Sequence, residues 1–188
     1  MNEQIELINK ILSGDGRAFE KLVTKYQRLV SHIVFRMIKD GGDQEDVCQE
    51  VFVKVYKSLK SFRGDSKLST WIGKIAYNRC VDYLSKKKIP LMDNDIESAA
   101  DYITDEKSAP DVITERGEIS QMLQAEIGNL PPLYRTVVTL YHLDELTYAE
   151  IGNIMKLPDG TVKSYLFRAR RLLKERLVSK FDKEELWQ

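Results

Sequence analysis

The chain is poor in the residues that most chemistry at a protein site relies on. Its 188 residues hold two cysteines, Cys48 and Cys80, and two histidines, His32 and His142. A disulfide framework needs more thiols than this, and the histidines have no Cys or carboxylate around them at metal-ligand spacing. Each cysteine sits in an apolar helical pattern, which reads as a small buried thiol. There is no glycine-rich loop to cradle a phosphate and no Ser, His and Asp set in view, so no catalytic residue, metal or cofactor is expected and the chain does not read as an enzyme. No apolar run approaches the roughly 20 residues of a membrane-spanning helix. The opening Met1-Asn2-Glu3-Gln4 lacks the basic and apolar segments of a secretory leader, so a cytoplasmic protein without membrane insertion is expected. A charge surplus is missing too: 29 Lys and Arg balance 29 Asp and Glu. Taken whole, that neutrality argues against nucleic acid, whose partners usually carry a basic excess.

What is present is helical periodicity from end to end. Ile5, Leu7, Ile8, Ile11 and Leu12 mark a short helix, closed by Ser13-Gly14-Asp15-Gly16. Apolar residues from Phe19 to Met37 recur at steps of three and four and give a long amphipathic helix. Gly41-Gly42 reads as its stop and Asp43 as the N-cap of the next helix, which buries Val47, Val51, Val55 and Leu59. Ser69 reads as the cap of a further helix with Trp71, Ile72, Ile75, Ala76 and Cys80 inward. From Pro90 to about Asp111 the chain is acidic with little apolar pattern, the texture of a flexible linker. Helical pattern resumes at Ile119, Met122, Leu123 and Ile127. The run Thr136-Val137-Val138-Thr139-Leu140 suits a strand by propensity, but no partner strand is signalled and a helix is expected. The fold class is therefore all-α: two small helical domains over residues 1–89 and 116–182, joined by an acidic linker over residues 90–115.

Near the C-terminus, Thr147 and Glu150 fit a capping box. A short helix follows with Ile151, Ile154 and Met155 inward and Gly152 at a close approach. Lys156-Leu157-Pro158-Asp159-Gly160 breaks it, and a second helix starts near Thr161, with Val162, Tyr165 or Leu166, Ala169, Leu172, Leu173 and Leu177 inward. Two short helices, a tight turn and a basic second helix are the layout of a helix-turn-helix, whose second helix enters the major groove. Residues 156–176 hold seven bases against two acids. Arg168 suits a bidentate bond to guanine, Lys163 and Arg171 suit phosphates, and Ser164 and Phe167 share their outer side.

Leu130-Pro131-Pro132-Leu133-Tyr134-Arg135, Leu146-Thr147-Tyr148-Ala149-Glu150-Ile151-Gly152, Gly160-Thr161-Val162-Lys163-Ser164 and Arg168-Ala169-Arg170 resemble the C-terminal domain of bacterial sigma factors, in the small extracytoplasmic-function subgroup of the sigma-70 superfamily. The resemblance implies that Thr161, Lys163, Ser164, Phe167, Arg168 and Arg171 read the minus-thirty-five promoter element. Tyr165 stands where the family often has Arg, so one basic contact is lost.

The N-terminal half carries two further signals. Residues 43–59 place Asp43, Glu45, Asp46 and Glu50 in the first two turns of a helix. Acids there are favoured by the macrodipole alone, and Asp46, Gln49 and Glu50 also share a face that suits a basic partner. The stretch resembles the segment that grips core RNA polymerase, which implies contacts from Asp46, Gln49, Glu50 and Phe52. Residues 60–88 then hold eight bases and two acids. Around the loop, Phe62, Arg63, Asp65, Lys67, Thr70, Trp71, Lys74, Asn78 and Arg79 combine rings, cations and polar groups, as single-stranded DNA requires. Trp71 suits a core position as well as a stacking platform. The block resembles the family's melting and minus-ten segment, through Trp71, Ile75, Ala76, Asn78 and Asp82, while Ser85 replaces a common basic residue.

The family implies core RNA polymerase as partner, through the clamp of the largest subunit and the flap of the second-largest. It also implies duplex and single-stranded promoter DNA and an anti-sigma factor. A helix-turn-helix regulator with an N-terminal sensor domain, binding duplex operator DNA as a dimer, or an adaptor that binds polymerase or another protein without DNA, are the rival readings. The neutral total resolves into residues 1–89 with 17 bases and 11 acids, residues 90–118 with 2 and 9, and residues 119–188 with 10 and 9. Zero is a sum over opposing patches, and it does not exclude nucleic acid.

Overall fold

A computed structural model describes residues 2–91 and 115–180. Among the described residues every long element is helical: α1 (Asn2–Leu12), α2 (Gly16–Met37), α3 (Gly41–Ser58), α4 (Leu68–Lys86), α5 (Glu115–Gly128), α6 (Pro132–His142), α7 (Tyr148–Met155) and α8 (Asp159–Lys180). The acidic stretch expected as a linker lies, over residues 92–114, outside the described residues.

Gly14, at φ +94°, turns the chain after α1. The Asp15 carboxylate then accepts from the Arg17 and Ala18 amides and starts α2. Ala18, Leu22, Tyr26, Leu29, Val30, Ile33, Val34 and Met37 form the buried stripe of α2. Two boundaries differ from the sequence reading. Gly41 and Gly42 do not stop α2 but open α3, because Asp40 supplies the cap, accepting from Gly42 and Asp43 amides at 3.1 and 3.3 Å. Asp43 sits inside the first turn and its carboxylate accepts instead from the Tyr83 hydroxyl and from Lys87. Likewise α4 begins at Leu68, with Lys67 in the cap position and no side-chain cap, so Ser69 lies inside the helix.

Helix α6 resolves the strand ambiguity. Residues 133–140 are all buried, since α2 packs on one side of α6 and α8 on the other. A helix covered all round buries consecutive positions rather than a stripe, polar Arg135, Thr136 and Thr139 among them. Thr136 relieves its polarity by donating to the Pro132 carbonyl at 2.8 Å.

The two helical units, α1–α4 and α5–α8, share one continuous core. The seam joins α2 to α6 and α4 to α7. Gly73 on α4 lets Ile154 of α7 approach so closely that an added Cβ would lie 2.8 Å from its Cδ1. Polar contacts border the seam. His32 Nδ1 meets the Asp144 carboxylate at 2.9 Å, Arg28 donates to the Leu143 carbonyl, and Arg36 donates to Gln124. Arg135, 3% exposed, donates to the carbonyls of Arg36, Met37 and Gly128, satisfying acceptors that the ends of α2 and α5 leave open.

Candidate nucleic-acid and polymerase interfaces

The helix-turn-helix is built as its residues specify. Thr147 Oγ1 accepts from the Glu150 amide at 3.3 Å, and Glu150 Oε2 accepts from the Thr147 amide at 2.9 Å, which closes the capping box. Helix α7 ends on Lys156, which takes the left-handed conformation at φ 57°. Gly152 is required there: an added Cβ would lie 2.6 Å from the Leu157 carbonyl oxygen. The turn is shorter than expected, because Asp159 and Gly160 already belong to α8. Val162, Leu166, Ala169 and Leu173 turn inward, and Phe167, at 68% exposure, points outward beside Lys163, Arg168 and Arg171. Thr161 and Ser164 are half-buried, with the Ser164 hydroxyl donating to the Thr161 carbonyl. Arg171 is already paired with Glu175 at 2.8 Å.

Aromatic packing behind this face was not foreseen. Lys163 lies over the Tyr148 ring, Tyr148 stacks on Tyr141, and Arg170 lies over Tyr141 while donating to His142. Burial, then the Arg170 charge, lowers the His142 pKa. Tyr165, in the position where the family often has Arg, is half-buried and meets the buried Tyr134 ring edge-on at 5.3 Å. Its role in this fold is packing.

On α3, Asp46, Gln49 and Glu50 are exposed and Phe52 is half-buried against the core. In the loop before α4, Phe62 and Trp71 meet edge-on at 5.4 Å, both half-buried, while Arg63 and Asp65 are exposed. Lys74 is exposed and Asn78 half-buried on α4. Thr70 is 4% exposed and faces the core in this arrangement.

Three pairings link residues that the sequence assigned to separate surfaces. Arg79, a DNA candidate, is bonded to Glu50, a polymerase candidate, and lies 3.9 Å from Asp82. Lys67 of the melting loop is paired at 2.7 Å with Glu150 of the helix-turn-helix. The Lys67 bond is the main reason that the Glu150 carboxyl titrates below its ordinary value; the Thr147 bonds add to it. Lys87, in the basic run that closes α4, is held by Asp43. Such pairings join residues 29 to 83 positions apart, so no local pattern announces them.

An all-helical protein with a capped helix-turn-helix and a second, basic-aromatic surface belongs among the proteins that read and remodel DNA. Comparison with known proteins agrees. Residues 22–89 match sigma-70 region 2, and residues 120–173 match sigma-70 region 4. The chain is 38% identical over 182 residues to the ECF RNA polymerase sigma-E factor of Escherichia coli, covering 92% of this chain and 95% of that one. It is 34% identical over 178 residues to the RNA polymerase sigma-H factor of Pseudomonas aeruginosa, covering 92% of each. Its fold is similar to that of CnrH in complex with the cytosolic domain of CnrY (TM-score 0.65, 21% identity, 93% of this chain and 97% of that one). It is also similar to the sigma factor RpoE in complex with the anti-sigma factor NepR from Bartonella quintana (TM-score 0.66, 20% identity, 88% and 98%). The chain belongs to the sigma-70 family of bacterial RNA polymerase sigma factors, in the ECF subgroup. It is a transcription initiation factor and not an enzyme. No helix among the described residues is long and apolar enough to cross a membrane.

Proposed function

We propose that the chain works in the cytoplasm by docking on core RNA polymerase through Asp46, Gln49, Glu50 and Phe52 of α3. It reads the minus-thirty-five element through the outer face of α8 and captures the minus-ten strand with the loop and α4. The observation that carries this reading is the exposed set Lys163, Phe167, Arg168 and Arg171 on α8, the helix that follows the turn after the box-capped α7. Phe62 and Trp71 supply rings for unpaired bases, and Arg63, Lys67, Lys74 and Arg79 supply cations. Melting costs a few kcal/mol per extruded base, offset here by binding and by no nucleotide hydrolysis.

In this function the two units separate. The two promoter elements lie about 25 base pairs apart, roughly 85 Å at about 3.4 Å per step. A compact 188-residue protein has a radius of gyration of about 16 Å and a width near 40 Å, too small to bridge them. The 23 residues of sequence between Leu91 and Glu115 allow a separation of up to about 80 Å. The described arrangement is accordingly the state before promoter binding, with Lys67 and Ile154 held in the seam. Both solved structures named above are complexes with protein partners. An anti-sigma factor that grips this compact state is the corresponding partner for this chain.

Run-off transcription with core polymerase tests the reading. Promoter-specific transcripts from a genomic library are expected with the protein and not without it. Their absence, with binding of the free protein to duplex operators as a dimer, would support a helix-turn-helix regulator instead.

A further inference from the structure

Lys163 and Arg170 stand seven residues apart on α8, two turns and about 10 Å along its axis. Two rings from other helices link them. Lys163 Nζ lies 5.5 Å from the centre of the Tyr148 ring, at the start of α7. Tyr148 stacks on Tyr141 of α6, with centroids 5.2 Å apart and planes 13° from parallel. The Arg170 guanidinium lies 5.3 Å from the centre of Tyr141. The order is cation, ring, ring, cation, and it ties α6, α7 and α8 together. Both cations fall within the roughly 6 Å over which a ring face attracts a positive charge.

The Arg170 end of this ladder is fixed within the protein. Arg170 Nε donates to His142 Nε2 at 3.3 Å, and His142 meets Tyr141 edge-on at 5.0 Å. Burial, then the Arg170 charge, holds the His142 pKa below its ordinary value, which favours the neutral ring that Arg170 needs as acceptor. A side-chain hydrogen bond between Tyr148 and Tyr141 joins the two rings and raises the Tyr148 pKa. Arg170 thus differs from Arg168, two residues away, which is exposed and makes no ion pair or ring contact among the described residues.

The Lys163 end is open. Lys163 is exposed, and a ring against one side of its ammonium leaves donors for a phosphate. A lysine on a bare helix surface samples many rotamers, and fixing it at a phosphate costs affinity. Tyr148 sets that direction before DNA arrives.

We propose that Tyr148, backed by Tyr141 and Arg170, is a positioning residue for duplex recognition. It holds the Lys163 ammonium where a phosphate of the upstream element meets α8. This rests on the proposed assignment of Lys163 to the DNA backbone. Tyr148 acts through Lys163, so its contribution disappears when Lys163 is removed.

A double-mutant cycle tests this in holoenzyme assembled from core polymerase and the full chain, binding a promoter fragment that gives a run-off transcript. Tyr148→Leu is expected to weaken promoter binding about 2- to 5-fold, the change that an exposed cation–ring contact supplies. In a chain that already carries Lys163→Ala, the same substitution is expected to add no further loss. Tyr148→Phe restores the ring and is expected to recover most of the affinity. Arg170→Gln removes the far cation, and is expected to weaken binding less than Tyr148→Leu and only while Lys163 is present. Lys163→Ala removes one phosphate contact and is expected to lower the salt slope by about 0.9. Tyr148→Leu is expected to move that slope in the same direction. Equal losses with and without Lys163 would overturn the proposal, since they would mark general damage to the helix-turn-helix. So would a Tyr148→Phe variant as weak as Tyr148→Leu, which would place the hydroxyl itself on DNA. Unchanged affinity and slope in Lys163→Ala would remove the assignment beneath the proposal, and the proposal with it. A loss in Lys163→Ala without coupling to Tyr148 would refute the ladder alone and leave the duplex-reading face standing.

Discussion

Gly73 sits mid-way along α4 at the closest approach of α7. A methyl built there would lie 2.8 Å from Ile154 Cδ1 and 3.1 Å from Cγ1. Ile154 is fully buried. Its Cδ1 can rotate aside, but β-branching fixes χ1 and keeps Cγ1 in place. Gly73→Ala therefore sets two effects against each other. Alanine stabilises a helix interior by about 0.8–1 kcal/mol over glycine. Overpacking a close-packed contact costs about 1–3 kcal/mol. The gain belongs to α4 whether the units are joined or apart, and the cost falls on the seam alone. At about 1.4 kcal/mol per factor of ten, the ratio of joined to separated forms falls by about 5- to 150-fold. Gly73→Val, with two further carbons, is expected to go further. Small-angle scattering should show a larger radius of gyration, while thermal unfolding shows α1–α4 no less stable. Adding Ile154→Ala removes the obstructing atoms, so the double variant should show coupling that recovers compactness. An unchanged radius of gyration in both Gly73 variants, with no coupling to Ile154→Ala, would refute the reasoning.

Gly152→Ala is expected to cost more than Gly73→Ala, because its Cβ meets a backbone carbonyl at 2.6 Å rather than a side chain; a lower unfolding midpoint and weaker duplex binding by the full chain would show it. Arg168→Ala should lose about 1–3 kcal/mol of upstream-element recognition if its contact is bidentate, read as a changed promoter preference; an unchanged preference makes Arg168 a bystander. Asp46→Ala with Glu50→Ala should weaken polymerase binding while duplex binding persists, and equal loss of both would contradict the assignment. Glu150 titrates below its ordinary value of 4.5, so its contribution is complete above that value and is lost as pH falls through the lowered one. Acid titration of Glu150→Gln should accordingly show a flatter loss of stability than the parent below pH 4.5.

Elements with strong local signals were legible. The α2 stripe, the Thr147–Glu150 capping box and the close approach at Gly152 follow from periodicity and side-chain chemistry over a few residues. Cap positions were less so: with Asp40, Gly41, Gly42 and Asp43 in a row, either acid satisfies the pattern. The choice fell to Asp40 because Asp43 has partners in Tyr83 and Lys87, 40 and 44 residues on. The seam was illegible for the same reason. Arg135 was read as part of a family motif, yet its three acceptors are backbone carbonyls, which every residue has. Of the proposed DNA residues, Thr70 lies in the core and Lys67 and Arg79 are paired within the protein, because spacing identifies a face of a helix and not what covers it.

On the proposed assignment of Glu50 to polymerase and Arg79 to the minus-ten strand, their ion pair makes the two ligands of the N-terminal unit thermodynamically linked. Whatever binds Glu50 releases Arg79, and whatever binds Arg79 releases Glu50. A partly exposed pair of this kind is worth about 0–1 kcal/mol, so each ligand raises the affinity for the other by at most about fivefold. Reciprocity makes that factor the same in both directions. On that assignment, polymerase bound first would raise the affinity for the minus-ten strand, and the strand would in turn slightly tighten the grip of polymerase on the factor.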